Sequence, residues 1–403
     1  MKFLCITISL YPYREASSDC VYNLLSNSEV DYITIANLSN AILSDLSEVQ
    51  NNIYFAQTKT TVLYKKIYSF FKNEKIARFY SKVFQKTKLY KRYTNEYMVG
   101  DLDKKRFLRL VEILIQKNKY DYIISVSMPM ICHFMAKWIK EKHPELKWIA
   151  YEVDPYVYNL NLKIRDVAKR KKIASEIYKN VDYFFCMPCV KEYNEKMGYF
   201  PEYHKNSVKL ELPKLNVIND NKTCDFHNPV EIIYTGIFYD KIRNPEEMLK
   251  FFSGFNYNFN LHIYGFGCDK ILYKYKKILG DKLKLHGQVP KKICQEAIES
   301  ADLLLVLGNT VENQVPSKIF NYFATGLPII NLYQNENDPS MSYFNSYKNS
   351  ININIKNENY QDAYIRLEKF IDNREKLAKK QICINLKSCL LEEIREVFFR
   401  YLD

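Results

Sequence analysis

The chain has 403 residues and a net charge of +13, enough for about two domains of ordinary size with substantial cores. Its apolar runs are too short for a membrane-spanning helix, which needs about 20 residues. Its ten cysteines are scattered, unlike the disulfide framework of a small secreted domain, so a reducing cytoplasm is the expected compartment. The charge is local: Lys59–Arg92 carries eleven Lys and Arg with Glu74 as its only acid, and the remainder is nearly balanced.

Lys2–Leu10 reads as a first buried strand. It is not read as a signal peptide, because no small-residue cleavage site follows and Tyr11-Pro-Tyr-Arg14 comes at once. Tyr11–Asp19 is then a loop, with Ser17, Ser18 and Asp19 as candidate caps for a helix over Val21–Leu25. Val30–Leu38 alternates as a second strand. Across Thr60–Tyr93, Leu63, Ile67, Phe70, Phe71, Phe79, Val83 and Phe84 recur near helical spacing among the lysines and arginines. Two readings fit that pattern: an amphipathic helix lying on an anionic membrane surface, and a solvated helical excursion packed on its own domain. Nucleic acid is not an expected partner, since no recognised binding motif accompanies the charge.

Helices over Asp103–Lys117, Met130–Lys142 and Leu162–Tyr178 alternate with strands over Tyr120–Val126, Lys147–Val153 and Val181–Met187. Such alternation predicts a parallel sheet with helices on both faces and ligands at the strand carboxyl ends. Glu152 and Asp154 occupy one such end. Either could orient or deprotonate a hydroxyl within hydrogen-bond reach; equally, Asp154 could cap a turn before Pro155. Cys186 and Cys189 have redox spacing but no second pair to complete a zinc site, and read as strand-end packing. The six histidines show no metal-ligand spacing.

A polar, turn-rich stretch, Ile218–Pro229, reads as a linker, and strand–helix alternation restarts at Glu231. The expected organisation is a first domain over 1–213, a linker over 214–229, a second domain over 230–380 and a C-terminal helix within 381–403. In Thr235-Gly-Ile-Phe-Tyr-Asp-Lys-Ile-Arg-Asn-Pro245, Gly236 lets the backbone approach a ligand closely. Arg243 offers a bidentate fork to phosphate oxygens before a helix reaching Phe252. Leu261–Gly267 is a strand ending in Gly265-x-Gly267, with Lys270 where a dinucleotide fingerprint has its third glycine. Leu283-Lys-Leu-His-Gly-Gln-Val-Pro290 is another strand and loop, and Ala301–Gly308 a buried strand. The run Val311-Glu-Asn-Gln-Val-Pro-Ser-Lys-Ile-Phe-Asn-Tyr-Phe-Ala-Thr-Gly-Leu-Pro-Ile-Ile330 follows. Pro316 suits a first helical turn. Ser317 and Lys318 then sit where free N–H groups and the positive helix end face an anion. Ile319, Phe320, Tyr322 and Phe323 form the buried face, and Gly326 a left-handed stop before a short strand.

This last run resembles the signature of family-4-like glycosyltransferases (glycosyl transferases group 1) with the GT-B fold, a Pro-Ser-Lys followed by a Tyr and a Gly-x-Pro. The resemblance covers Val230 to Leu332 well, and the first domain mainly through topology. It implies an α/β chain of two Rossmann-like, doubly wound domains facing across a cleft, with the last helix crossing back to the first domain. It places Gly236, Gly265 and Gly267 beside a nucleotide, Gln288 and Val289 at its base, and Arg243, Lys318, Pro316 and Ser317 at its diphosphate. Glu152 and Asp154 would face the acceptor, with Ser17 and Ser18 in the first loop, which here lacks the family's glycines. Asn313 and Asn321 stand where many members have glutamates eight positions apart; Asn321 keeps hydrogen-bonding capacity without charge.

The implied activity is metal-independent transfer of a sugar, with retention, from a UDP- or GDP-linked donor to a glycan or lipid-linked hydroxyl acceptor. No cofactor is called for beyond the donor. A basic segment at a membrane would suit assembly of capsule, exopolysaccharide or lipopolysaccharide on a cytoplasmic membrane face. Two other classes remain open: a sugar-nucleotide epimerase on the same diphosphate site, and an impaired scaffold subunit suggested by the two asparagines.

Overall fold

A computed structural model describes residues 1–8, 10, 15–35, 48–50, 52–86, 104–128, 130–160, 166–217 and 226–402. The chain divides into two compact units, Met1–Glu211 and Leu212–Asp403. Most of the expected linker, residues 218–225, lies outside the described residues, as do 87–92 of the basic segment and the start of the helix expected from Leu162.

The first unit is built on β1 (Lys2–Ile8), β2 (Glu29–Ile35), β3 (Glu48–Gln50), β4 (Ile53–Ala56), β5 (Tyr122–Ser127), β6 (Lys147–Glu152), β7 (Tyr183–Cys186) and β8 (Ser207–Lys209). Among the described residues they form one sheet in the order β3-β4-β2-β1-β5-β6-β7-β8. The paired strands run parallel except β3, which is antiparallel to β4. Phe3, Leu4, Cys5 and Ile6 of β1 are fully buried; a parallel strand covered on both faces needs this continuous apolar run. Cys186 and Cys189 are buried too, and burial pushes both thiols up, Cys186 to about 12.

Three expectations for this unit change. The first helix is Ala16–Leu24, with Glu15 at its cap position, so Ser17, Ser18 and Asp19 lie inside its first turns rather than capping it. The strands β3, β4 and β8 were not expected. The basic segment is two helices, Lys59–Phe71 and Glu74–Lys86, because Lys72 adopts a left-handed conformation (φ 52°) and ends the first. A Thr58–Thr61 capping box starts it. The pair closes around Tyr64 and Ala77, with Ile67 and Tyr68 packed on them.

The second unit holds β9 (Val230–Thr235), β10 (Phe259–Tyr264), β11 (Leu283–Leu285), β12 (Leu303–Leu307), β13 (Ile329–Tyr333) and β14 (Ser350–Asn354). Their order is β11-β10-β9-β12-β13-β14, parallel in every pair. The order reverses between β9 and β12, which makes the carboxyl ends of these two strands the topological switch point. One apolar cluster packs Phe251, Phe252, Phe255 and Tyr364 against Leu261, Leu303 and Leu305. Residues 381–403 fall within this unit. There Leu391 N–H donates to the Leu215 carbonyl at 3.3 Å.

Two glycine-bearing loops pack backbone on backbone at the switch point. Phe238 N–H donates to the Phe266 carbonyl and Gly236 N–H to the Tyr264 carbonyl, each at 2.9 Å. A Cβ on Gly265 would stand 1.8 Å from the Gly236 carbonyl oxygen, and one on Gly267 2.3 Å from that of Phe238. Because the obstacle is backbone, neither loop can yield by turning a side chain. Gly265→Ala is expected to destabilise the chain by about 3 kcal/mol, read as a lower urea midpoint. An unchanged midpoint would mean that the loops can separate.

Candidate active site

Arg243 leaves the loop after β9, and its guanidinium crosses the switch point to the loop after β12. Nε and Nη2 both donate to Asn309 Oδ1, at 3.1 and 2.7 Å, and Nη1 to the Ile237 carbonyl at 3.4 Å. Asn309 is fully buried, and its amide is fixed in turn by donation to the Gln314 carbonyl at 2.7 Å. Thr310 joins the two loops again, its N–H donating to the Ile242 carbonyl and its hydroxyl to that of Lys241. The fork expected from the sequence is thus held by an asparagine that the motif did not single out.

Lys318 comes to the same corner from the helix Lys318–Phe323. Its Nζ donates to the Thr235 carbonyl at 2.8 Å and sits 3.5 Å above the centre of the buried Tyr234 ring. Gly236 borders it at φ 127°, a backbone conformation that L side chains rarely adopt, although a Cβ there would meet this nitrogen only at an ordinary contact distance of 3.5 Å. Tyr322 anchors the strand end from below, its hydroxyl accepting from Thr235 N–H at 2.8 Å. Burial, and after it the Arg243 guanidinium, push the Lys318 ammonium well below the usual lysine range. Burial likewise raises the Tyr234 phenol to about 12, against the pull of Arg243. The corner therefore holds two cationic side chains at close quarters, one of them poorly solvated.

The helix itself is shorter than its signature implies. It has six residues, Ser317 is its cap position with no side-chain capping bond, and Pro316 precedes the cap instead of filling the first turn. The buried face is as expected, with Ile319, Phe320, Tyr322 and Phe323 fully buried and Gly326 at φ 75°. So the positive charge at this corner comes from the side chains of Arg243 and Lys318 more than from the helix end. Asn313 is buried, whereas Asn321 is exposed on the helix. Gln288 is exposed and Val289 half-buried in the loop after β11, where His286 stacks on Tyr264 with ring centres 4.0 Å apart.

No family model matches the sequence. A non-toxic nonhemagglutinin type C protein of Clostridium botulinum C phage is 22% identical over 288 residues, 60% of this chain and 24% of that one; the match spans about a quarter of that relative's length. Solved structures align along the whole chain. Sucrose-phosphate synthase of Thermosynechococcus elongatus matches with a TM-score of 0.63 at 11% identity, covering 100% of this chain and 98% of the other. HepE of Anabaena, solved in complex with UDP, gives 0.61 at 10% identity over 100% and 99%. The lipopolysaccharide outer core galactosyltransferase WaaB gives 0.57 at 13% identity, again over 100% and 99%. The chain has the GT-B fold.

In the first unit of this GT-B chain the expected acceptor residues are partly spoken for. Ser18 is fully buried; its hydroxyl pairs with Thr7 Oγ1 at 2.9 Å and with the Ile8 carbonyl, tying the first helix to β1. Ser17 is also buried. Glu152 ends β6 buried, and its Oε1 accepts from Tyr156 N–H at 2.9 Å. Asp154 is half-buried, and its carbonyl accepts from Ser127 Oγ at 3.4 Å. Arg170, itself buried, donates to the Tyr156 and Asn159 carbonyls at 3.1 and 2.7 Å and so braces the turn that carries Asp154. No group of three or more His, Cys, Asp or Glu among the described residues is placed to hold a metal ion.

Burial raises the Glu152 carboxyl from 4.5 to about 7, with the Tyr156 N–H pulling it down and Asp154 adding to the rise. The folded chain then holds this proton more tightly than the unfolded one. The stabilisation is complete below about pH 4.5, fades as pH rises to about 7 and is gone above, a change of about 3 kcal/mol. Glu152→Gln is expected to remove that part of the pH dependence, as measured by urea unfolding at pH 5 and pH 8. Parallel pH profiles in the two proteins would show that Glu152 does not titrate as its burial requires.

Proposed function

We propose that this protein is a glycosyltransferase that moves a sugar from a nucleoside-diphosphate donor to a hydroxyl acceptor. The observation that carries the reading is the pair Arg243 and Lys318, held together at the switch point of the second unit. In such a transfer, negative charge grows on the departing diphosphate. Fixed cations in a poorly solvated corner oppose that charge without reorganising, which is the largest catalytic contribution in many enzymes. Arg243 supplies a fork already locked on Asn309. Lys318 gains most from the anion, since a diphosphate favours the ammonium that burial disfavours. Gly236, Gly265 and Gly267 would let the nucleotide approach the backbone, with Gln288 and Val289 near its base.

HepE, which shares the fold, was solved with UDP, so UDP is the first nucleotide to try. Calorimetry with UDP, ADP and GDP should give binding of one of them. Arg243→Ala and Lys318→Ala should each weaken it by tenfold or more, the scale of a lost charge-assisted contact. Donor turnover with and without acceptor then decides among the open classes. Transfer needs an acceptor and epimerisation does not, while nucleotide binding with no turnover would favour the scaffold reading that Asn313 and Asn321 suggest. Failure of all three nucleotides to bind would remove the proposal.

The acceptor we propose is a lipid-linked glycan at an anionic membrane face, in surface-polysaccharide assembly. Support comes from the paired helices Lys59–Phe71 and Glu74–Lys86. Phe70 is 80% exposed and Phe79 62%, with Phe71, Tyr80 and Val83 also exposed. Lys66, Lys75 and Lys82 are exposed on the same two helices, and Lys72 in the turn between them. Aromatic side chains that reach an acyl boundary, with lysines at the headgroups, are the composition of an interfacial surface. No helix among the described residues is long and apolar enough to cross a membrane. Flotation on vesicles containing anionic lipid should be lost in high salt, and on neutralising Lys65, Lys66, Lys72 and Lys75 to glutamine. Equal flotation of both proteins would exclude this surface.

A further inference from the structure

One charged group beside the switch point has no place in the mechanism above. Asp338 is buried (3% exposed) in the turn after β13. Its Oδ1 accepts from Ser340 N–H at 2.8 Å and from Ser340 Oγ at 2.5 Å. Oδ2 has no well-formed hydrogen bond and is turned to the backbone of Gly308: a Cβ on that glycine would stand 2.3 Å from it. Gly308 directly follows β12, and the next residue is Asn309, whose side chain holds the Arg243 guanidinium. A buried carboxylate is thus seated directly behind the arginine's anchor, in a gap that exists only because residue 308 lacks a side chain.

We infer that Asp338 is the buried counter-charge of Arg243 and thereby sets how tightly the Arg243–Lys318 pair holds a diphosphate. The inference rests on the reading of that pair as a diphosphate site. Two cations with no compensating charge would repel each other and bind a diphosphate so firmly that its release would be slow. A carboxylate behind the anchor eases the repulsion in the empty site and opposes the incoming anion in the filled one. The interaction is reciprocal: the anion that the carboxylate disfavours must in turn favour the protonated acid. Binding then draws a proton onto Asp338.

The local chemistry permits that exchange near neutral pH. Burial lifts the Asp338 carboxyl to about 6, against the pull of the Ser340 hydroxyl and N–H, the Arg243 guanidinium and the Asn309 N–H. Arg243 is the charged side chain that acts on it from the β9 loop. From the loop after β12, Glu312 reaches the neighbouring Asn337 amide at 3.1 Å. A diphosphate next to Arg243 adds negative charge and moves the acid further up.

The test is UDP binding by calorimetry, from pH 5.5 to 8, on the full chain and on Asp338→Asn and Arg243→Ala, with thermal unfolding as the check on folding. Asp338→Asn keeps the shape and removes the charge. It is expected to bind UDP about tenfold more tightly at pH 7.5, with slower dissociation and a flatter pH dependence between pH 6 and 7.5. In the unaltered protein, titrations in buffers of different ionisation enthalpy should show proton uptake over that same range, a measurement that needs no variant. A folded Asp338→Asn protein with unchanged or weaker binding and the same pH slope would assign the carboxylate a packing role only and overturn the inference. If instead the unaltered protein binds none of UDP, ADP and GDP, or Arg243→Ala binds as well as it does, the diphosphate reading fails and takes this inference with it.

Discussion

The second unit depends on one hydrogen-bonded link, the two bonds from Arg243 to Asn309 Oδ1. A guanidinium on a free loop is a mobile, well-hydrated charge of little use for recognising a particular anion. Tied to a buried amide across the point where the strand order reverses, it becomes a fixed direction in space. The tie works because Asn309 is itself held by the Gln314 carbonyl and because Gly308 leaves room behind it. Lys318 completes the corner by a different route. It is long enough to reach back over Tyr234 to the Thr235 carbonyl, and it exchanges solvation for position. Both cations are oriented before any ligand arrives, which is the arrangement electrostatic catalysis requires.

The legible parts of the sequence were those written in local periodicity. The apolar runs of β1 and β12, the left-handed Gly326 and the buried face of Ile319, Phe320, Tyr322 and Phe323 follow from the spacing of apolar residues and a glycine. Arg243 and Lys318 could be singled out because each sits in a phrase with recognisable grammar, a glycine loop or a Pro-Ser-Lys run. The two-domain α/β plan followed from the alternation restarting at Glu231, and full-length alignment with GT-B structures supports it.

What the sequence hid was non-local. Asn309 and Asp338 matter only because the sheet order brings the turns after β9, β12 and β13 together, and nothing near either residue marks it. The strands β3, β4 and β8 have three or four residues each, too few for a period to show. The break at Lys72 carried no glycine or proline to announce it. An apolar rhythm sustained through Phe79 and Val83 read as one helix, although a lysine in the left-handed conformation folds it back on Tyr64. The Pro316 expectation failed for a related reason: a proline suits the position before a cap as well as the first turn, and sequence alone does not choose between them.

The contact of the two glycine loops has a consequence for how this site could change over time. Gly265 and Gly267 meet the backbone of Gly236 and Phe238 with no side chain between them, so the two turns behave as a single plate. A substitution that shifts one must shift the other, and with it the carbonyl at Thr235 on which Lys318 rests. On the proposed reading, variation that retunes the nucleotide would be channelled away from these turns, toward positions such as Gln288 and Asn321 that stand clear of the plate. A designer altering this corner would meet the same restriction and should leave the glycines alone.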